Sequence, residues 1–257
     1  MRTPILIPAY RPGPQLPALV EELIQKGASR IVIVDNASGP DYAAIFDRCA
    51  AFPQVRILRN HRNLGKGASL KAGMRYLLES GPGGCGVVTA DADGQHHPDD
   101  ILETARVLAQ NPECLVLGSR KFEGPVPLRS RVGNNCTRVL VRLILGQRLQ
   151  DSQCGLRGIP VKLIPYLLEL PSNAYEFELD VLVAAKHLGL SVIEQSIRTI
   201  YEPGNPSSHF DPIRDSMKIY FVLFRFSLLS LLTAALDNLV FYFAYHGLAI
   251  VLSAQAI

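Results

Sequence analysis

The chain has no tryptophan, and its net charge is only +3 over 257 residues. So weak a positive balance argues against a nucleic-acid partner, which calls for a strongly basic face. The five cysteines (Cys49, Cys85, Cys114, Cys136 and Cys154) are odd in number and never spaced as CxxC. Neither a disulfide framework nor a zinc site is indicated, and reduced cytosolic thiols are the simpler reading. Met1-Arg2-Thr3-Pro4 runs straight into strand-like sequence, so no secretory leader is expected. The GxxxxGK[ST] phosphate loop is missing, as is the three-glycine dinucleotide fingerprint after the first strand. Their absence argues against a P-loop NTPase and lowers the expectation of a dehydrogenase. No internal repeat or low-complexity segment is visible.

What is there is an ordinary globular composition, 48% hydrophobic, in a chain long enough for one large domain or a domain with an appendage. Apolar runs alternate with amphipathic ones. Strands are expected over Pro4–Pro8, Arg30–Asp35, Val55–Leu58, Gly86–Ala90 and Leu115–Leu117. Helices are expected over Leu16–Lys26, Asp41–Ala51, Lys66–Glu79 and Pro98–Gln110. Such alternation predicts an α/β fold with a mainly parallel sheet flanked by helices. Ligands bind at the C-terminal ends of strands in such sheets. The first, second and fourth strands end in polar clusters: Pro8-Ala9-Tyr10, Asp35-Asn36-Ala37-Ser38 and Asp91-Ala92-Asp93.

The last of these carries the most chemistry. Two carboxylates one residue apart follow the apolar run Gly86-Val87-Val88. Desolvating them is costly, so a hard cation such as Mg2+ or Mn2+ is expected there, able to grip a diphosphate. The alternative is a helix cap with a solvated turn. Asn63-Leu64-Gly65-Lys66-Gly67-Ala68 resembles a phosphate loop, with glycines for close backbone approach and Lys66 near a helix N-terminus.

The C-terminus differs. Ile219–Ser253 is strongly apolar, interrupted by Arg225, Asp237 and His246. One membrane span of about 20 residues fits at about Phe226–Tyr245. Asp237 falls inside it, where an acid faces other helices or a pathway. Arg214, Lys218 and Arg225 precede it and put that side in the cytoplasm. A surface or core helix is the alternative. A second apolar stretch begins and is soon cut off, as in a piece of a longer chain.

Seven stations in order carry a resemblance: Ile7-Pro8-Ala9-Tyr10, Val34-Asp35, Asn63-Leu64-Gly65-Lys66-Gly67, Asp91-Ala92-Asp93-Gly94-Gln95-His96, Gly118-Ser119-Arg120, Asp151-Ser152-Gln153-Cys154-Gly155-Leu156-Arg157 and Tyr175-Glu176-Phe177-Glu178. Together they resemble a family-2 glycosyltransferase of GT-A fold, in the branch of dolichyl/polyprenyl-phosphate sugar synthases, over about Pro4–Phe226. The segment from Arg225-Phe226 to Tyr242 resembles the opening of a GtrA-like membrane domain. The expected division is a catalytic domain over 1–215 and a juxtamembrane and membrane segment over 216–257.

The resemblance implies that Pro8, Ala9, Tyr10 and Asp35 hold the donor's base and ribose, with Lys66 near that pocket. It implies that Asp91, Asp93 and Gln95 bind metal and diphosphate, with Asp91 also among the donor contacts and Asp93, like Asp151, among the catalytic residues. Arg120 and Arg131 are the expected contacts for the acceptor's phosphate, because a guanidinium can grip phosphate bidentately. Asp151 orients or deprotonates the acceptor; its alternative is a cap. Glu176 and Glu178 share a face if Tyr175–Leu182 starts extended and point apart if it is helical. Glu178 then braces Arg157 or lines the site. His96 and His97 are expected behind the metal ligands or in solvent. The Pro/Gly/Ser-rich Tyr201–Phe210 is expected as a linker or as a loop that orders over substrate.

Two departures matter. Asp35-Asn36-Ala37-Ser38 stands where the family often has two acids and a glycine, which leaves base and sugar preference open. The QxxRW segment of processive synthases is missing, which favours transfer of a single sugar. The expected activity is therefore metal-dependent inverting transfer of one hexose from a nucleotide sugar to polyprenyl or dolichyl phosphate. A UDP-sugar is favoured and GDP-mannose stays open; so does homo-oligomerisation. The enzyme is expected on the membrane with its catalytic domain in the cytoplasm. The rivals are transfer to a soluble or glycan hydroxyl, and a non-catalytic nucleotide-sugar-binding partner of a membrane flippase. A sugar-1-phosphate nucleotidyltransferase fits poorly, since Pro8-Ala9-Tyr10-Arg11-Pro12-Gly13 is not its Gly-rich, basic loop.

Overall fold

The structure, a computed structural model, describes residues 3–81, 84–120, 149, 151, 154–198 and 228–245. The chain divides into two units, Met1–Phe210 and Asp211–Ile257.

In the first unit the expected alternation appears as β1 (Ile5–Ala9), α1 (Gln15–Gln25), β2 (Ile31–Asp35), α2 (Ala43–Ala50), β3 (Val55–Arg59), α3 (Lys66–Glu79), β4 (Gly86–Thr89), α4 (Pro98–Gln110) and β5 (Cys114–Arg120). A short 3-10 turn, Pro40–Tyr42, replaces the first turn of the expected second helix. Beyond β5 come β6 (Arg157–Pro160), α5 (Ile164–Glu169), α6 (Phe177–His187) and β7 (Ser191–Ile197). The seven strands lie in the order β3-β2-β1-β4-β6-β5-β7. All neighbours pair in parallel except β6, which runs antiparallel to both β4 and β5.

Helices on both faces explain why β1 and β2 read as unbroken apolar runs. Ile5, Ile7, Ile31 and Ile33 pack on one face with Leu16, Leu19, Val20 and Leu23, an i, i+3, i+4, i+7 stripe of α1. On the other face Leu6 meets α3, and Gly73 is what lets that helix approach. A Cβ at Gly73 would lie 2.1 Å from a Leu6 methyl. Because β1, β2 and β4 are parallel, their C-terminal ends share one edge of the sheet, with Ala9 directly beside Asp35.

In the second unit Leu228–Tyr245 is an 18-residue helix of mean hydropathy 1.5, long and apolar enough to cross a membrane by length and composition. At about 1.5 Å per residue it spans about 27 Å. Two of its polar side chains bond within the helix: Thr233 Oγ1 donates to Leu229 O at 3.0 Å and Asn238 Nδ2 to Ala234 O at 2.7 Å.

Candidate active site

At the end of β1, Pro8, Ala9 and Tyr10 lead into Arg11, whose guanidinium lies 5.1 Å from the Tyr10 ring centroid. Arg11 N donates to Ser38 Oγ at 2.9 Å, tying this loop to the one after β2. There Asp35, at the end of β2, is buried, and its Oδ1 accepts from Ser38 N at 2.9 Å. Arg59 of β3 reaches its Oδ2 at 3.9 Å.

Asn36, which sequence reasoning passed over, organises this corner. Its Oδ1 accepts from Asn60 Nδ2 and Leu64 N, each at 3.0 Å, and its Nδ2 donates to Asn63 Oδ1 at 2.8 Å. One buried amide thus joins the ends of β2 and β3 to the loop before α3. An aspartate here could accept from Asn60 and Leu64 but could not donate to Asn63. The sequence signal was polar side chains at the ends of successive strands.

The expected phosphate loop has a different primary use for its glycines. Gly65 has φ +95, and a Cβ there would fall 2.2 Å from Asn173 O; at Gly67 it would fall 2.6 Å from Phe177 Cβ. The close approach is therefore to the Asn173–Phe177 backbone, sealed by Ala68 N donating to Asn173 O at 3.0 Å. The result delivers Lys66 from the first turn of α3 into the site.

Lys66 Nζ lies 2.6 Å from Asp91 Oδ1 and 2.6 Å from Glu178 Oε1. His96, buried, brings Nε2 to 3.3 Å from Asp91 Oδ2. Burial opposes charge on both Lys66 and Asp91. Their mutual attraction outweighs it, reinforced by Glu178 on Lys66 and by His96 on Asp91. The Asp91 carboxyl is held far below its ordinary range and the Lys66 ammonium far above its own. Asp93 goes the other way, pushed up by burial and then by the Asp91 charge. Its Oδ1 accepts from Gln95 N at 3.0 Å across Gly94, which has φ +80. Neither acid caps α4. That role belongs to His97, whose Nδ1 accepts from Asp99 N at 3.2 Å. The cap reading of Asp91 and Asp93 is set aside. Gly155 explains how Asp91 fits: a Cβ there would sit 2.4 Å from Asp91 Oδ2.

Glu176 and Glu178 do not share an extended face, because α6 begins at Phe177 with Glu176 as its N-cap position. Glu176 Oε1 turns back to accept from Asn173 N at 3.3 Å and Ala174 N at 3.1 Å. Glu178 points the other way, to Lys66 and, at 3.9 Å, to Arg157. Arg157, buried in β6, also donates to Cys154 O at 3.0 Å and to Glu178 O.

On the far side Arg120, at the end of β5, and Asp151 are brought together. Arg120 Nε donates to Asp151 Oδ2 at 2.6 Å and a terminal nitrogen to Oδ1 at 3.3 Å. Burial works against the Arg120 charge, but Asp151 overcomes it and raises its pKa further. Asp151 is held by a guanidinium on both of its oxygens. Glu194 of β7, unforeseen in the sequence, accepts from Asp151 N at 3.4 Å. Arg131, Tyr201–Phe210, Arg214, Lys218 and Arg225 lie outside the described residues.

One sheet edge thus carries a buried acid at β2, two acids at β4, a lysine between acids, and an arginine–aspartate pair. This arrangement can hold an oxygen-rich, multiply charged ligand and a cation.

The model of glycosyl transferase family 2 matches residues 5–164. Among curated proteins, the chain is 29% identical over 216 residues to the UDP-N-acetylglucosamine–dolichyl-phosphate N-acetylglucosaminyltransferase of Methanococcus voltae, covering 77% of this chain and 85% of that one. It is 28% identical over 226 residues to the polyprenol monophosphomannose synthase of Mycolicibacterium smegmatis, covering 84% of each. It is 29% identical over 209 residues to the undecaprenyl-phosphate mannosyltransferase of Micrococcus luteus, covering 77% of this chain and 83% of that one. In fold it resembles glucosyl-3-phosphoglycerate synthase of Mycobacterium tuberculosis, solved with Mn2+, UDP and glucosyl-3-phosphoglycerate. That likeness has TM-score 0.64 and 18% identity, covering 85% of this chain and 77% of that one. The match runs over more than half of the chain, and with it the fold is GT-A: this protein belongs to glycosyl transferase family 2 and is a glycosyltransferase.

Proposed function

We propose that this enzyme is a metal-dependent, inverting transferase that moves one hexose from a nucleotide sugar to polyprenyl or dolichyl phosphate at the cytoplasmic membrane face. The observation that carries the site reading is the pair Asp91 and Asp93 at the end of β4, between Lys66 and the Arg120–Asp151 pair. The acceptor reading is supported by the three relatives, each named for a lipid phosphate.

A divalent ion fits the residues present. Among the described residues no three of His, Cys, Asp and Glu form a complete cage. Asp91 and Asp93, with Gln95, supply oxygen donors, and a diphosphate supplies the rest. A cation already stands at Asp91, the Lys66 ammonium, and beside it the half-buried Asp93 has its pKa raised by burial and by the Asp91 charge. When bound, Mg2+ or Mn2+ would offset charge on the departing nucleoside diphosphate.

The chain's own residues do the rest. Asp35 and Tyr10 take the nucleoside, and Pro8 and Ala9 shape its floor. Lys66 faces the diphosphate. Arg120 presents positive charge to the acceptor phosphate and fixes Asp151; Arg131 is the further phosphate contact expected from the sequence. A phosphate oxygen is already anionic at neutral pH. It attacks the sugar carbon opposite the diphosphate, the carbon–oxygen bond to the diphosphate breaks, and no proton has to be taken. Asp151, clamped by Arg120, therefore serves as a positioning group rather than a base.

Leu228–Tyr245 serves as the membrane anchor and as the start of the GtrA-like segment, with the basic Arg214, Lys218 and Arg225 on the cytoplasmic side. A UDP-sugar remains the favoured donor; the Methanococcus relative is named for one, and two relatives are named for mannose.

Asp93→Ala should lower transfer by about 10³-fold, the order expected when several kcal/mol of charge stabilisation are lost. Its circular dichroism spectrum should match the parent's. Full activity in a folded Asp93→Ala protein contradicts the metal role.

A further inference from the structure

Both oxygens of Asp91 are engaged before any metal arrives. Oδ1 carries Lys66 at 2.6 Å, and Oδ2 faces His96 Nε2 at 3.3 Å with the Gly155 backbone pressed against it. A divalent ion at Asp91 would compete with the Lys66 ammonium for the same carboxylate. Lys66 has a second partner in reach, since Glu178 Oε1 is also 2.6 Å away. Glu178 is itself anchored: it lies in the first turn of α6, its carboxylate lies 3.9 Å from buried Arg157, and its carbonyl accepts from that arginine. The backbone on each side is fixed too, because Gly65 and Gly67 are packed against Asn173–Phe177. The ammonium can therefore leave Asp91 without leaving the site.

We propose that Lys66 is a resident counter-ion that competes with the divalent metal for Asp91, and that Glu178 is the positioning residue that retains it when the metal enters. This rests on the metal-dependent reading above and deepens it. The consequence is coupling between ligands. A nucleoside diphosphate gives Lys66 a new anionic partner and so releases Asp91 to the metal. By linkage, the metal raises affinity for the diphosphate by the same factor that the diphosphate raises affinity for the metal. Metal without nucleotide must displace the lysine and binds weakly.

The test is Mn2+ binding to the full chain, followed by the paramagnetic resonance of free Mn2+, without nucleotide and with UDP or GDP. Lys66→Met should bind Mn2+ alone about tenfold more tightly than the parent, and its enhancement by nucleotide should shrink by a similar factor, within the usual range of coupling between sites. Glu178→Gln leaves the ammonium with Asp91 alone and should weaken Mn2+ binding without nucleotide. General damage to the fold does not produce opposite signs. Equal or weaker Mn2+ binding by a folded Lys66→Met protein overturns the inference while leaving the metal reading intact. Failure of the parent to bind Mn2+ with either nucleotide overturns both. Should Lys66→Met not fold, Glu178→Gln decides: weaker binding supports the competition, and equal or tighter binding overturns it.

Discussion

Ala37 holds a left-handed backbone, φ +61, in the loop that closes over Asp35. An L-residue with a Cβ pays roughly 1–2 kcal/mol for that conformation, whereas glycine adopts it freely. Glycine loses about 0.4–1 kcal/mol through its freer unfolded chain. The strain is the larger effect, so Ala37→Gly should stabilise the protein by about 0.5–1 kcal/mol, raising Tm by a few degrees in calorimetry. A lower Tm would mean that the alanine methyl makes a contact worth more than the strain. Cys154 gives a prediction in pH. Burial, and then the Asp151 charge, push its thiol up to about 12 from an ordinary 9.0. A raised folded-state pKa adds stability that is fully present below the unfolded value and lost as pH climbs through the folded one. Stability should therefore fall from about pH 9 toward 12, and Cys154→Ala should flatten that fall, as read by urea midpoints over the alkaline range.

At the scale of elements, helices α1, α3 and α4 and the strands β1 to β5 were legible because each is local: an apolar run or a 3.6-residue stripe announces it. β6 and β7 were not foreseen. β6 is Arg-Gly-Ile-Pro, four residues with a buried arginine, and it is a strand only because β4 and β5 flank it. β7 carries Glu194, Gln195 and Ser196 with only Ile197 fully buried, so it lacks a strong apolar signature. The acids of the site could be picked from their positions after strands. Of their pairings Glu178 with Arg157 was anticipated, whereas Lys66 with Glu178, and Arg120 with Asp151, were not, because they join residues distant in sequence. The α3–α6 junction yields a further expectation. Gly65→Ala adds a Cβ 2.2 Å from a backbone oxygen at φ +95. It should cost about 2–4 kcal/mol, the sum of backbone strain and overpacking, and should weaken nucleotide binding by displacing Lys66. Parent-like denaturant midpoints and nucleotide affinity would show that α3 and α6 are not locked as described.

At the scale of the whole molecule, the family rests on the match over residues 5–164, and the proposed acceptor rests on relatives named for lipid phosphates. A nucleotide-sugar site on a sheet edge is common to transferases with many acceptors; the 18-residue helix of mean hydropathy 1.5 is long and apolar enough to cross a membrane, which is compatible with the proposed lipid acceptor. The two lines meet in one assay: the purified full chain, a panel of UDP- and GDP-sugars, Mg2+ or Mn2+, and a short polyprenyl phosphate, with product read by mass spectrometry. The account predicts a lipid phosphate carrying one hexose from one donor, with product lost on chelation of the metal. Transfer to a soluble hydroxyl acceptor in place of the lipid phosphate, or nucleotide binding with no product from any donor, would contradict it.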